Sequence, residues 1–135
     1  ESKAAGLYMT GTLAKHAAEA RGFDDALMLD REGFVAEATT ANLFAVLDGT
    51  LATPRTEFIL NGITRQTIIQ LAEEAGYAVV ETDITLEALD AASEVFVTGT
   101  AAELTPIRRI GERHYRPGNV TETLMRAYDR IIGRA

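Results

Sequence analysis

The dipeptide Asp48-Gly49 lies between two apolar segments, and it limits the possible folds of this chain more than any other feature. The first segment is Asn42–Leu47, and the second is Leu51–Thr53, which Pro54 ends. A two-residue turn of the hand that strands favour needs positive φ at both central residues, which Asp and Gly tolerate. We therefore predict a tight β-hairpin here, and with it antiparallel neighbours in a sheet.

Other parts of the chain continue this plan of strands joined by short turns, with helices between them. Further strands are predicted at Ala26–Leu29, Phe34–Ala38, Tyr77–Thr82 and Glu94–Thr98, with a second hairpin in Ile107–Tyr115. Helices are predicted at Ala4–Arg21, Arg65–Ala75, Leu86–Ala92 and Val120–Ile132. This order predicts the fold class α/β (α+β), with a mixed, largely antiparallel sheet and packed helices.

The composition argues against several classes of function. The formal net charge of −7 disfavours nucleic acids and anionic membrane surfaces as partners, because both attract clustered Lys and Arg side chains. The chain has no cysteine and only two histidines, His16 and His114, so we expect no metal site. No apolar run approaches the roughly 18 residues of a membrane-spanning helix. The first residues do not resemble a secretion signal, and we expect a cytoplasmic protein.

The loop Leu60–Thr64 leads into a predicted helix. Thr64 is predicted to be the N-cap, and Ile63 and Ile68 are predicted to pack against each other across it. A helix start presents unpaired N–H groups and the positive end of the helix dipole, which bind phosphate or carboxylate. An ordinary capped helix after a turn is the commoner explanation of the same pattern.

Glu37 is an acidic residue inside the apolar strand predicted at Phe34–Ala38. Side chains alternate between the two faces of a strand, so Val35 and Glu37 are predicted to share one face. Glu37 then lies either on a solvated face, which is the commoner case, or buried beside a cation or a hydrogen-bond donor.

Two further segments have a chemical role only in a suitable context. Val97–Glu103 runs from an apolar strand into small and hydroxyl-bearing residues, which suits either an anion-binding nest or a plain turn. Lys3 is a lone lysine, and such a residue is usually a solvated surface charge. Local features alone leave these alternatives open.

Four segments, in this order, resemble the successive motifs of fold-type IV pyridoxal-phosphate enzymes. They are Lys3–Tyr8, Glu37–Phe44, Leu60–Arg65 and Thr98–Pro106. That family includes branched-chain aminotransferases, D-amino-acid aminotransferases and aminodeoxychorismate lyases. The resemblance covers nearly the whole chain, and the alanine-rich versions of the first and last motifs look most like the branched-chain enzymes.

The resemblance implies a cofactor, pyridoxal 5'-phosphate, and roles for three residues around its ring. Lys3 would form the Schiff base and then move the proton between the substrate and the cofactor. Glu37 would face the pyridine nitrogen and keep it protonated, which makes the ring an electron sink. Tyr8 would hydrogen-bond the phenolic oxygen.

The resemblance also implies how the phosphate and the substrate are held. The backbone N–H groups of Ile63 and Thr64 and the hydroxyl of Thr100 would bind the cofactor phosphate. Thr100 and Ala101 would bind the substrate carboxylate, and Leu60 would line the apolar side of the ring. Arg65 would support the loop without a chemical role.

By resemblance, residues 1–135 are the large C-terminal domain of the D-amino-acid aminotransferase-like fold, and the family's smaller N-terminal domain is absent from this chain. The helical pattern that begins almost at once is typical of a chain cut at a domain boundary. The implied reaction exchanges an amino group between an L-branched-chain amino acid and a 2-oxoacid in a homodimer. The alternatives are a D-amino-acid aminotransferase, an aminodeoxychorismate lyase, or an incomplete, non-catalytic domain, and the isolated chain is expected to be weakly active or inactive.

Overall fold

The structure is a computed structural model that describes residues 26–38, 41–56, 62–99 and 102–134. These residues form a seven-stranded sheet, a separate two-stranded hairpin and three α-helices. The strands of the sheet are β1 Leu27–Leu29, β2 Val35–Ala38, β3 Ala41–Leu47, β4 Thr50–Thr53, β5 Val79–Glu81, β6 Glu94–Gly99 and β7 Glu103–Pro106. The separate hairpin is β8 Arg109–Ile110 with β9 Arg113–His114, and the helices are α1 Ile63–Glu74, α2 Leu86–Ala91 and α3 Asn119–Ile131.

Strand β3 is at the centre of the sheet. Strand β6 pairs with it over Asn42–Val46 along one edge. Along the other edge, β2 pairs with the start of β3, and β4 pairs with its end. Strand β1 lies outside β2, and β7 lies outside β6. Of the pairings described, β4 with β5 is parallel and the others are antiparallel, so the predicted largely antiparallel, mixed sheet is confirmed.

The hairpin predicted at Asp48-Gly49 is confirmed. Both residues have positive φ, 54° at Asp48 and 81° at Gly49. Leu47 and Thr50 face each other directly across the turn, so the loop between β3 and β4 has two residues. The turn works here because its backbone twist matches the twist of the two strands that it joins.

The alternation of side chains along β3 divides the apolar core into two clusters. Leu43 and Ala45 pack on one side of the sheet with Leu89 of α2. Phe44 and Val46 pack on the other side in the cluster that holds α1 and α3. The Phe44 ring stacks on Phe96 of β6 with a centroid distance of 5.0 Å. The sheet is therefore a middle layer covered by helices on both faces.

The start of α3 is held by a side chain from the sheet. Glu94, the first residue of β6, accepts hydrogen bonds on Oε1 from the Gly118 N–H at 3.0 Å, the Thr121 N–H at 2.8 Å and the Thr121 hydroxyl at 2.6 Å. A Cβ on Gly118 would lie 2.7 Å from the other carboxylate oxygen, so a larger residue there would displace the Glu94 side chain. The acidic side chain is thus placed where the helix dipole favours negative charge.

Two elements differ from their predictions. Strand β7 was not predicted, and it forms by pairing with the edge of β6, from Gly99 with Glu103 to Phe96 with Pro106. The strand predicted at Tyr77–Thr82 is shorter and runs parallel to β4. The helix predicted at Ala4–Arg21 lies outside the described residues.

Candidate functional site

A row of polar side chains crosses three neighbouring strands of the sheet. Glu37 of β2 lies directly opposite Asn42 of β3, and Asn42 lies directly opposite Thr98 of β6. Residues opposite each other in a pair of strands point to the same face. Asn42 shares its face with Phe44, two residues on, so the row lies on the face that α1 and α3 cover.

The prediction that Val35 and Glu37 share one face of β2 is wrong, because the pairing of β1 with β2 is irregular. Met28 pairs with Glu37, whereas the next residue, Leu29, pairs with Val35, which leaves Ala36 as an extra residue. Such a bulge interrupts the alternation of side chains. Val35 consequently packs in the cluster beneath α2, and Glu37 is turned to the opposite face.

The N-terminus of α1 meets this row at Asn42. Gly62 precedes the first helical residue with extended backbone angles, φ −65° and ψ 154°. A Cβ on Gly62 would lie 3.0 Å from Asn42 Oδ1, so the backbone passes close to that side chain. Gly62 has no side chain with which to cap α1, and the first turn of the helix has no acidic residue. A helix start of this kind attracts an anion through the helix dipole and its backbone N–H groups.

The predicted capping of α1 is wrong in two respects. The helix begins at Ile63, so Thr64 lies inside its first turn and Gly62 takes the N-cap position. Ile63 is 83% exposed while Ile68 is fully buried, so these two side chains do not form the predicted apolar pair. Residue 62 lies close to Asn42, so the helix starts beside the polar row, two residues before the predicted cap.

The hydroxyl of Thr98 is a second unusual feature of the row. Thr98 is fully buried, and within the described part of the chain its Oγ1 has no hydrogen-bond partner. An unsatisfied buried hydroxyl costs about 1–3 kcal/mol. A buried hydroxyl without a partner near the start of a helix is typical of a binding site, because a ligand can supply the missing hydrogen bond.

Arg65 fixes the first turn of α1 from the other side. Its side chain is buried, and Nη2 donates to the Pro54 carbonyl at 3.0 Å and to Glu81 Oε1 at 3.1 Å. These bonds connect the helix start to the end of β4 and to β5. The guanidinium therefore has the structural role that was expected of it.

The structure describes three of the eight residues that the sequence assigns to the site. Glu37 lies beside Asn42, and Ile63 and Thr64 directly follow Gly62, so these three converge on one place. The other five lie outside the described residues, and their assigned roles stay predictions: Lys3, Tyr8, Leu60, Thr100 and Ala101. Sequence reasoning missed Asn42 and Thr98 as site residues, although a buried amide at the start of an apolar strand was a usable signal.

Shifted pKa values in the described residues lie away from the polar row. The hydrogen bonds from Arg134 lower the pKa of Glu103 at the start of β7. Burial raises the pKa of Tyr115, whose hydroxyl donates to the Leu89 carbonyl at 2.7 Å. Across the described ranges there is no cluster of three or more acidic or histidine side chains that would hold a metal. None of the helices found there has the length and apolarity needed to cross a membrane.

Comparison with known proteins identifies the family. The profile of the family described as amino-transferase class IV matches residues 3–110. The chain is 46% identical to the branched-chain-amino-acid aminotransferase of Pseudomonas aeruginosa and 43% identical to a putative one of Methanocaldococcus jannaschii. The match covers 98% of this chain and 45% of the first relative, and 92% and 44% for the second. The chain therefore spans less than half the length of these relatives.

Solved structures show the same likeness. The branched-chain aminotransferase of Thermoproteus uzoniensis with norvaline is 44% identical with a TM-score of 0.91, over 96% of this chain and 44% of that one. The branched-chain amino acid aminotransferase of Thermobaculum terrenum in its PLP-form is 39% identical with a TM-score of 0.88, over 95% of this chain and 44% of that one. The fold and the sequence agree, and this chain belongs to the class IV aminotransferase family.

Proposed function

We propose that this chain is the cofactor-binding C-terminal part of a pyridoxal-phosphate-dependent aminotransferase for L-branched-chain amino acids. The observation that carries the proposal is that Glu37 and the start of α1, whose N-cap residue is Gly62, meet at Asn42 on one face of the sheet. Family membership and the relatives named as branched-chain aminotransferases support the same conclusion.

The residues at this place suit pyridoxal 5'-phosphate. The cofactor has an anionic phosphate on a short side arm and a basic nitrogen in its ring. The start of α1 favours the phosphate, because the helix dipole and the backbone N–H donors of a first turn attract an anion, and this first turn has no acidic residue. The Glu37 carboxylate suits a protonated nitrogen, and it is only partly exposed to solvent. The unpartnered hydroxyl of Thr98 is consistent with a site that a polar ligand completes.

Each residue then has one task in the reaction. When bound, pyridoxal phosphate supplies a ring that withdraws electrons and so stabilises negative charge at the substrate α-carbon. Glu37 would hold a proton on the ring nitrogen and keep the ring electron-withdrawing. Ile63 and Thr64 would donate their backbone N–H groups to the phosphate and fix the orientation of the ring.

The remaining tasks fall on residues outside the described ranges. Lys3 would hold the cofactor covalently and then move the proton at the substrate α-carbon, for which its amine must be partly neutral. Tyr8 would hydrogen-bond the phenolic oxygen, and Leu60 would cover the apolar side of the ring. Thr100 would add a hydroxyl to the phosphate, and together with Ala101 it would bind the substrate carboxylate.

The wider setting is also part of the proposal. Residues 1–135 would be one domain, and the family's smaller N-terminal domain would complete the substrate pocket. We propose a cytoplasmic homodimer whose partners are an amino acid and a 2-oxoacid, with no nucleic acid and no membrane. The formal net charge of −7 supports the exclusion of nucleic acid.

A transamination assay on the intact protein, with the N-terminal domain that completes the substrate pocket, tests this function. L-leucine, D-alanine and aminodeoxychorismate are offered separately, the first two with a 2-oxoacid acceptor. We expect turnover with L-leucine, and we expect Lys3→Ala to abolish both turnover and the visible absorbance of the bound cofactor. Activity with D-alanine or aminodeoxychorismate alone would assign the chain to another enzyme of the same fold.

A non-catalytic domain is the competing function of a different class. The presence of Lys3, Glu37 and Tyr8 together in one sequence argues against it, because a binding domain has no need of all three. Failure of the intact protein to bind pyridoxal phosphate or to turn over any of the three substrates would favour it.

A further inference from the structure

We infer that Asn42 is a positioning residue, which sets the distance between the start of α1 and the Glu37 carboxylate. This inference rests on the proposed function, because it gives Asn42 a role toward the same cofactor. It concerns a residue that neither the sequence motifs nor the proposed mechanism assigns to a task.

The sheet makes Asn42 the meeting point of three segments. Its backbone pairs with Glu37 on one side and with Thr98 on the other. Its side chain is buried, with 7% of the residue exposed, and points to the face of the sheet on which α1 packs. The third segment is Gly62, which lies close to the Asn42 side chain. A Cβ added to Gly62 would stand only 3.0 Å from Asn42 Oδ1.

This contact acts directly on the groups proposed to hold the phosphate. Gly62 is the residue before the helix, so the N–H groups of Ile63 and Thr64 move with it. Gly62 has no side chain with which to cap the helix, and Arg65 holds the first turn toward β4 and β5. The Asn42 side chain is therefore the support on the Glu37 side.

The two ends of the cofactor respond differently to loss of this support. Glu37 keeps its place through the pairing of β2 with β1 and β3, which involves the backbone alone. The start of α1 is not part of the sheet, so no strand pairing holds it beside the row. Asn42→Ala should therefore misplace the phosphate-binding N–H groups while leaving the Glu37 carboxylate in position.

The first experiment compares two ligands on the intact protein, which includes the N-terminal domain. Affinities for pyridoxal 5'-phosphate and for pyridoxal, which lacks the phosphate, are measured by absorbance titration for wild type and Asn42→Ala. We expect the affinity for the phosphate form to fall about tenfold, the equivalent of one charge-assisted hydrogen bond, and the affinity for pyridoxal to stay nearly constant. General damage to the site would weaken both ligands alike.

Thr53→Val is the matched control for this comparison. Thr53 is fully buried, and its hydroxyl donates to the carbonyl of Leu43, the residue after Asn42, at 2.8 Å. The variant removes a buried hydrogen bond close to the site without changing a residue that we place in it. We expect Thr53→Val to lower the thermal stability but to leave the ratio of the two affinities unchanged.

The second experiment needs no cofactor. Gly62→Ala is made in wild type and in Asn42→Ala, and the midpoint of thermal unfolding is measured for all four proteins. The added methyl group meets Asn42 Oδ1 in wild type, so Gly62→Ala should lower the midpoint there. In Asn42→Ala the space is open, and the same substitution should have little effect, which makes the two changes non-additive.

The outcomes separate this inference from the proposed function. A selective loss of affinity for the phosphate form, together with non-additive midpoints, supports the role of Asn42. Equal losses for both ligands, no loss for either, or strictly additive midpoints would each overturn it while leaving the aminotransferase function intact. If wild type binds neither ligand, the proposed function fails, and the role of Asn42 toward the cofactor fails with it.

Discussion

Replacing Glu94 tests whether one side chain of the sheet fixes helix α3. All three donors, the Gly118 N–H, the Thr121 N–H and the Thr121 hydroxyl, converge on a single oxygen at 2.6 to 3.0 Å. A hydrogen bond to a charged group contributes roughly 1.5–3 kcal/mol, and a lost N-cap costs roughly 1 kcal/mol. Because these contributions overlap at one atom, we expect Glu94→Ala to lower the free energy of unfolding by about 3–5 kcal/mol.

Glu94→Gln should be much milder. The glutamine side chain has the same shape and keeps one carbonyl oxygen, which accepts from all three donors just as Oε1 does. What is lost is the negative charge at the helix start, worth about 0.3–1 kcal/mol in most settings. The two substitutions thus separate the acceptor geometry from the charge.

Urea unfolding of the full chain, followed by circular dichroism, measures these differences. Glu122→Ala is the control, because Glu122 is an exposed acidic residue in the first turn of the same helix. We expect it to cost less than about 0.5 kcal/mol, as for most surface substitutions. The reasoning is refuted if Glu94→Ala is no more destabilising than Glu122→Ala, or if Glu94→Gln is as damaging as Glu94→Ala.

Three further predictions follow from the packing and the shifted pKa values. Phe44→Ala removes a fully buried ring stacked on Phe96. In urea unfolding it should lower the free energy of unfolding by about 3–5 kcal/mol. A loss smaller than that of an alanine substitution at an exposed position would contradict the stacking. Burial raises the pKa of Tyr115 above 10.0, so its contribution to stability is complete below that pH and is lost as the pH rises through the native pKa. Tyr115→Phe should be less stable than wild type at about pH 9, and it should lose less stability than wild type between about pH 9 and pH 11. If the free energies of unfolding of the two proteins fall in parallel over this pH range, the prediction is wrong. Arg134 lowers the pKa of Glu103 below 4.5. The ion pair therefore stabilises the fold above that pH, and its contribution is lost as the pH falls through the native pKa. An NMR titration should show a higher pKa of Glu103 in Arg134→Ala, and an unchanged pKa would exclude the pair.

Local sequence signals predicted the parts of the fold that depend on neighbouring residues. The two-residue turn at Asp48-Gly49 follows from the φ preferences of those residues. The strand predicted at Glu94–Thr98 follows from a mostly apolar run, which suits a strand with both faces covered. In the structure this strand is one residue longer and ends at Gly99. Each of these elements would form in many different tertiary settings.

The elements that were missed depend on partners distant in sequence. Strand β7 contains a proline and a charged residue, and only the free edge of β6 makes it a strand. The start of α1 lies at Gly62 and not at the predicted cap Thr64, and there it approaches Asn42, twenty residues earlier in the sequence. No local rule contains either contact.

The face of Glu37 shows how a small irregularity decides a functional question. Strict alternation would place Glu37 with Val35, beneath α2 and far from the open start of α1. The extra residue Ala36 reverses this, because Met28 pairs with Glu37 while Leu29 pairs with Val35. A sequence pattern with period two has no means of locating such a bulge.

The convergence at Asn42 brings together residues of three of the four separated motifs, namely Glu37, Gly62 and Thr98. Strand β3 runs between β2 and β6, so a residue at its start is the neighbour of both the end of β2 and the end of β6. The loop before α1 then needs only to reach that same end of the sheet, which it does at Gly62. A slip of one residue in the pairing of β2 with β3 would place Ala38 opposite Asn42 and turn Glu37 away. The register of the sheet therefore places Glu37 and the helix start where both can contact one ligand. No single motif has this effect.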